Sequence, residues 1–280
     1  MKTTIYSVLC MMVCLVMSGR VQAQDASGMQ ADTGKILSTV GSVTILLPGE
    51  STPKPAIKGQ PVPEGSTLIT ADGSQCMVGL TAGASTLVES GSELTVDTLQ
   101  IKKSGNQVSQ RNIELELKSG SNLSFLKQMG SISDYSVKTP IGVAAARGTI
   151  WRSSNEGIQV ADGVVTFTLP DGTQVSVPAG KQMTPDGEVD VIDDQVLQNL
   201  ADAITTTTKL KVNLKFLDNG TAQIVILNSD NQVISTPSFN PVTTSDGETN
   251  NDQPPAPPAP PAPDASPEPE EDPYCYYFES

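Results

Sequence analysis

The chain has 280 residues, with 17 Lys and Arg against 31 Asp and Glu, a formal net charge of −14, and no histidine. Without histidine there is no Ser-His-Asp or Cys-His nucleophile pair, no His-ligated zinc and no imidazole acid or base working near neutrality. The acidity argues against a phosphate-neutralising surface for nucleic acid and against electrostatic docking on an anionic bilayer.

Residues 1–23 read as a secretory signal peptide. Lys2 supplies the positive start, Ile5–Met17 is an apolar run broken only by Ser7, and Val21-Gln22-Ala23 leads to a cut at Ala23/Gln24. The run is shorter than the ~20 residues a transmembrane helix needs. Cleavage removes Lys2, Arg20, Cys10 and Cys14, leaving 15 basic against 31 acidic side chains, or −16. The mature chain then carries Cys76 and Cys275 in regions of very different composition, which does not indicate a disulfide framework. Cys76 reads as a small buried residue, whereas Cys275 could pair with another chain. No other stretch approaches membrane length. The expected product is a soluble exported protein, periplasmic or extracellular, with no transmembrane segment after cleavage.

Residues 34–185 read as strands throughout, in short apolar runs punctuated by Gly, Asp-Gly and Ser-Gly. The runs are Ile36–Leu47, Ser66–Thr70, Cys76–Thr81, Ser85–Val88, Glu93–Val96 and Asn112–Leu117, and the last alternates strictly. Val164–Leu169 and Gln174–Val177 flank Pro170-Asp171-Gly172-Thr173, a hairpin signal. The expected class is all-β, as a multi-stranded sandwich, roll or solenoid-like sheet.

One stretch in this region is distinctive. Thr139-Pro140 is followed by Ile141-Gly142-Val143-Ala144-Ala145-Ala146, then Arg147-Gly148-Thr149, and Trp151 two residues later. Small residues let two backbones approach closely, and Gly148 permits a bend. Arg147 would fasten two strands or reach an outside ligand, the first being the commoner role. Trp151 reads as a core anchor.

This set resembles the signature of FecR-type domains, the periplasmic part of sigma-factor regulators. Gly41-Ser42-Val43, Glu64–Thr70 and Asp72-Gly73-Ser74 upstream are similar to the family pattern, as are Val160–Val165 and Pro178–Gln182 downstream, so the resemblance spans roughly 35–185. It implies a FecR-type β domain used for protein contacts, with Thr139, Pro140, Gly142, Arg147, Gly148, Thr149 and Trp151 as structural or interaction residues. The regulators carry a cytoplasmic anti-sigma segment and a membrane helix ahead of this domain. Here the mature chain is expected to start at Gln24, so sigma-factor binding does not carry over.

Residues 190–240 read as a small α+β segment. Val196, Leu197, Leu200 and Ile204 form an apolar stripe at helical spacing after Asp193-Asp194, and the threonines 205–208 are expected to stop the helix. Lys209–Phe216, Ala222–Leu227 and Gln232–Ser235 then make a three-strand meander, with Asn219-Gly220 as a turn. The Lys209, Lys211 and Lys215 face reads as solvated.

Residues 246–280 form an acidic, proline-rich tail with 9 acidic and no basic side chains, expected to be disordered with polyproline II character. It ends in Tyr274, Cys275, Tyr276, Tyr277 and Phe278, a possible contact segment held away from the domain.

No motif for catalysis, cofactor or metal emerges. Glu89, Glu93, Asp97, Glu114 and Glu116 lack the accompanying aromatics a glycosidase usually shows. Asp190, Asp193 and Asp194 lack the spacing of a calcium loop. The expectation is a non-enzymatic exported protein, without cofactor, that mediates protein contacts or signalling in the bacterial envelope through an envelope or surface protein. The alternative is a structural or adhesive surface protein, glycan-binding or not, attached through its tail.

Overall fold

The computed structural model describes residues 28–126, 133–208, 211–216, 222–227 and 233–235. Residues 1–23, expected to be a signal peptide, and the C-terminal segment with Tyr274, Cys275, Tyr276, Tyr277 and Phe278 lie outside these residues. In chain order the first strands are β1 (Gln30–Ala31), β2 (Thr33–Val40), β3 (Val43–Leu46), β4 (Lys54–Pro55), β5 (Pro61–Pro63), β6 (Thr67–Thr70), β7 (Gln75–Thr81) and β8 (Ala84–Val88). Next come β9 (Glu93–Ser104), β10 (Gln107–Ser119), β11 (Ser121–Leu126), β12 (Asp134–Thr139), β13 (Gly142–Ala146), β14 (Ile150–Ser154) and β15 (Gly157–Asp162). Then follow β16 (Val164–Thr168), β17 (Gln174–Pro178), β18 (Lys181–Met183), β19 (Val189–Val191), helix α1 (Asp194–Thr208), β20 (Lys211–Phe216), β21 (Ala222–Leu227) and β22 (Val233–Ser235).

The expected all-β class takes the form of a sandwich of two large sheets. Sheet A runs β17-β16-β13-β12-β10-β9-β6-β3-β4, with β1 added beside β9. Sheet B runs β19-β18-β15-β14-β11-β8-β7-β2-β5. The chain fills both sheets together, handing itself from one to the other at tight corners. Four of those corners are Gly-Ser pairs, at 41–42, 73–74, 91–92 and 120–121. Serines of neighbouring corners bond to each other's backbone. Ser42 N–H donates to Ser74 Oγ at 2.9 Å, Gly73 N–H to Ser90 Oγ at 2.7 Å, and Ser121 N–H to Ser92 Oγ at 2.9 Å. The corners therefore stack, each supplying a hydrogen-bond partner to its neighbour's backbone. Nearly all pairings are antiparallel; β10 and β12 pair in parallel, from Asn112↔Asp134 to Glu116↔Lys138, because the chain makes one full coil through β11 between them.

Period-two alternation sends one side of every strand into the sandwich. Ile45, Leu94, Leu115, Val137, Trp151 and Phe167 belong to this core and are buried. Cys76 lies in it too, on β7, and burial pushes its thiol up to about 12. In a Cys275→Ser background, iodoacetamide at about pH 8 is expected to spare Cys76 until urea unfolds the chain, since only the thiolate reacts. Labelling in plain buffer at the unfolded rate would contradict this packing.

The outer face of sheet A is wet. Lys118 Nζ stands 3.0 Å from Glu93 Oε1 and Lys138 Nζ 3.0 Å from Glu116 Oε1. On the same face, desolvation raises the Asp97 carboxyl above its ordinary value; Glu116 and Glu114 add to the rise, while Lys138 and Lys118 oppose it. A carboxyl raised by folding destabilises the protein once ionised, and that cost disappears as pH falls below the unfolded value. Asp97→Asn is therefore expected to raise stability at neutral pH by less than about 1 kcal/mol because water screens the site, seen as a small rise in melting temperature, and to change little near pH ~3. A lower melting temperature at neutral pH would contradict the assignment.

Sheet B is covered on both faces over much of its length. Its outward Met77, Leu87, Leu123, Phe125 and Ile150 pack against Leu197, Leu200 and Ile204 of α1. Each of these helix side chains contributes about 1.5–3 kcal/mol when fully buried. Asp193 begins the helix, its Oδ1 accepting from Gln195 N–H at 2.9 Å. Sequence alone stopped this helix before the threonines, but it runs to Thr208. Threonine costs a helix only a few tenths of a kcal/mol. Thr205 Oγ1 also donates to Ala201 O at 2.9 Å, and packing on sheet B outweighs that cost. The strand expected over Glu93–Val96 is also longer, forming with β10 a hairpin of 12 and 13 residues. Beyond the helix, β20-β21-β22 form a three-stranded sheet. Among the described residues no helix is long and apolar enough to cross a membrane.

Candidate functional site

The distinctive segment is a crossover from sheet A to sheet B. Thr139 closes β12, and its Oγ1 donates to Gly142 O at 3.1 Å across the turn holding Pro140. Gly142 has φ +146°, and a Cβ there would run into the Phe167 ring and the Thr168 carbonyl. Ala144 and Ala146 are buried in β13 beneath the opposite sheet. The chain then bends at Gly148, φ +148°. Thr149 is bonded by its backbone to Leu126 in both directions, and its Oγ1 donates to Val164 O at 3.3 Å. Trp151 enters the core with no exposure; its Nε1 donates to Ser153 Oγ at 2.9 Å and its ring stands edge-on to Tyr135, centroids 5.2 Å apart.

Arg147 differs from the rest of this set. Its side chain is 63% exposed and its Nη2 lies 3.7 Å from Asp134 Oδ1, itself 70% exposed. It reaches across the β12–β13 hairpin in water, an arrangement worth little to stability. The segment thus divides into a structural crossover and one surface cation.

A second feature was not singled out by sequence. Along sheet B, the outward positions change from apolar to polar toward one end: Met77 gives way to Gln75, Leu87 to Glu89, Leu123 to Ser121, Ile150 to Arg152 and Ser154, and Ala161 to Gln159. Helix α1 covers the apolar end. The polar end opens into a recess of ≈ 500 Å³, whose wall also includes Gly73, Ser74, Ser90 and Glu156.

The recess is organised around one ion pair. Arg152 Nε donates to Glu89 Oε2 at 2.8 Å and Nη2 to Glu89 Oε1 at 2.9 Å, a two-point contact between side chains 18% and 16% exposed. Arg152 Nη1 donates to Gln159 Oε1 at 3.2 Å, and Ser121 Oγ donates to Glu89 Oε2 at 2.8 Å. The pair spans β8, β11 and β14, so it locks three strands as well as shaping the recess. Arg152→Met is expected to cost about 1.5–3 kcal/mol, since it leaves Glu89 half-buried without its cation. Glu89→Gln in the same background should recover part of that loss in urea unfolding. Additive losses would mean that the pair does not couple.

A polar layer is also buried between the sheets. Asn122 Nδ2 donates to Thr86 Oγ1 at 3.0 Å and Ser124 Oγ at 2.9 Å, and Ser124 Oγ is 3.1 Å from Tyr135 OH. Burial pushes the Tyr135 phenol well above its usual value. This layer is sealed from solvent and has no substrate access.

No model of a known protein family matches the chain. No curated protein matches it. Two solved structures from Parabacteroides distasonis ATCC 8503, each described as a candidate anti-sigma factor, are similar to it at 12% identity, with TM-scores of 0.33 and 0.35. Each match takes in 58% of this chain and 98% or 99% of the other.

Proposed function

We propose that this chain is an exported, non-enzymatic domain of the FecR type that works by protein contact in envelope signalling, through strand addition to the edge of sheet B. Support for the family reading comes from the ordered residue set between Gly41 and Gln182. The observation that carries the contact reading is the outer side of β19. Thr184 N–H donates to Glu188 O at 3.0 Å and Ile192 N–H to Gly180 O at 3.1 Å. Backbone bonds alternate sides along an antiparallel strand. Glu188, Asp190 and Ile192 therefore turn toward β18, whereas Val189 and Val191 turn their N–H and C=O groups outward. Both valines are exposed, at 37% and 44%. Among the described residues β18 is the sole strand paired with β19, and an edge carrying apolar side chains is the template that an extended partner segment pairs with.

A glycan-binding role has less support. The rings of Phe125, Tyr135, Trp151 and Phe167 are all buried and cannot stack on a sugar.

Val191→Pro removes an outward N–H without touching the bonds to β18, so the sandwich keeps its ladder. The test is cross-linking in the source cells with the intact chain, Val191→Pro and a chain lacking 246–280. The proposal expects one envelope protein captured by the intact and tail-deleted chains and lost with Val191→Pro. Capture that depends on the tail and ignores Val191 would favour a tail-attached surface protein instead.

A further inference from the structure

We infer that the recess on the outer face of sheet B is a receptor for a basic side chain, a lysine or arginine presented by a protein. This rests on the protein-contact reading only in taking the ligand to be part of a protein; the site itself is separate from the β19 edge. The recess is walled by β7, β8, β11, β14 and β15 and their corners. At ≈ 500 Å³ it has room for a long side chain and the water around it.

The chemistry of the lining decides the ligand class. An anion would need a free cation, yet three nitrogens of Arg152 are already engaged by Glu89 and Gln159. Among the described residues of the wall Arg152 is the only basic one, and none carries an aromatic ring on which a sugar or a nucleobase could stack. An apolar group would find Gln75, Glu89, Ser121, Ser154 and Gln159 around it and strip them of water without return. What remains is a cation that also donates hydrogen bonds. Two carboxylates, Glu89 and Glu156, stand against one guanidinium, so the wall carries an excess negative charge.

The two carboxylates divide the work. Glu89 is fixed by Arg152 and Ser121 and builds the floor. Glu156 sits exposed at the tip of the β14–β15 hairpin, where its N–H donates to Ser154 Oγ at 3.2 Å. That bond fixes the tip while leaving the Glu156 carboxylate as the acceptor that meets an incoming cation. Ser90 Oγ accepts from Gly73 N–H and keeps a second lone pair that accepts from the cation.

The experiment is a ¹⁵N-NMR titration of the full mature chain with N-acetyl-lysine methylamide, with N-acetyl-norleucine methylamide as the uncharged match. The expected result is saturable shifts at the amides of Gly73, Ser90, Glu156 and Gln159 with the lysine probe alone. Glu156→Gln, an exposed change that leaves the fold intact, should weaken the apparent affinity about fivefold. Equal shifts from both probes, shifts scattered over the surface, or an unchanged affinity in Glu156→Gln would each overturn the inference. Failure here leaves the β19 reading standing if Val191→Pro still abolishes capture; failure of that capture leaves this titration unaffected.

Discussion

Trp151→Ala is expected to cost about 3–5 kcal/mol of unfolding free energy, read as a fall in the urea midpoint. The side chain is wholly buried between the two sheets, and its removal leaves a void in a core packed on both sides. Two further losses add to the void. Tyr135 loses its edge-to-face partner, worth about 0.5–1.5 kcal/mol beyond area. Ser153, also without exposure, loses the indole donor at 2.9 Å. Trp151→Phe keeps most of the apolar area and should lose much less. A domain of this kind is stable by only about 5–15 kcal/mol, so the alanine variant would unfold at a much lower temperature than the parent chain. A cost below about 1 kcal/mol would mean that Trp151 is not the anchor of the crossover.

Gly120→Ala should be comparably severe, for a backbone reason. Gly120 turns the chain from β10 into β11 at φ +79°, and an added Cβ would lie 2.6 Å from the Ser92 Cα of the neighbouring corner. A non-glycine residue in that conformation costs about 1–3 kcal/mol, and the collision with backbone adds to it because the stacked corners cannot separate without breaking the Ser92–Ser121 bonds. Gly105→Ala supplies the contrast. It occupies the tip of the β9–β10 hairpin at φ +62° with nothing within 4 Å of the added carbon, so only the conformational cost of about 1–3 kcal/mol applies, without the collision. If the two variants lose equal stability, the close approach of the corners is not a source of stability.

Much of the sandwich was legible because its strands alternate. Ile113, Leu115 and Leu117 point inward and Glu114, Glu116 and Lys118 outward, as the letters alone require. The Asp171-Gly172 hairpin joins the strands it was expected to join, with Thr168 opposite Gln174. The length of the β9–β10 hairpin was hidden because its polar far end, Lys102-Lys103-Ser104, looks like a loop, and because register shifts near Glu114 and Val108 interrupt the alternation. The glycine and serine punctuation between the apolar runs was visible, but that four Gly-Ser pairs form stacked corners appears only once the strands are known to alternate between sheets.

The candidate site was less legible than the fold. The crossover residues could be named because they are consecutive, and Trp151 lies in the core as its type suggests. Arg147, read as fastening strands or reaching a ligand, extends from the bend to Asp134 of β12 through an ion pair in water, and how exposed that pair is depends on the reach of a side chain from a bend, which is not written in the sequence. The recess was missed altogether. Glu89 and Arg152 are 63 residues apart in the chain and meet only because β8 and β14 both pair with β11. The usable signal was weak: several strands each carry a polar residue two places from an outward apolar one, and only register aligns them.

The central claim is that this domain binds a protein through the edge of sheet B, and one measurement reaches it directly. A photo-crosslinking amino acid is placed at position 191 in the source cells, with position 164 as control, since Val164 is also exposed, at 43%, but lies on β16, which is paired on both sides. The account predicts a single envelope-protein adduct from position 191 and none from position 164. No adduct at 191, or the same adducts from both positions, would contradict it.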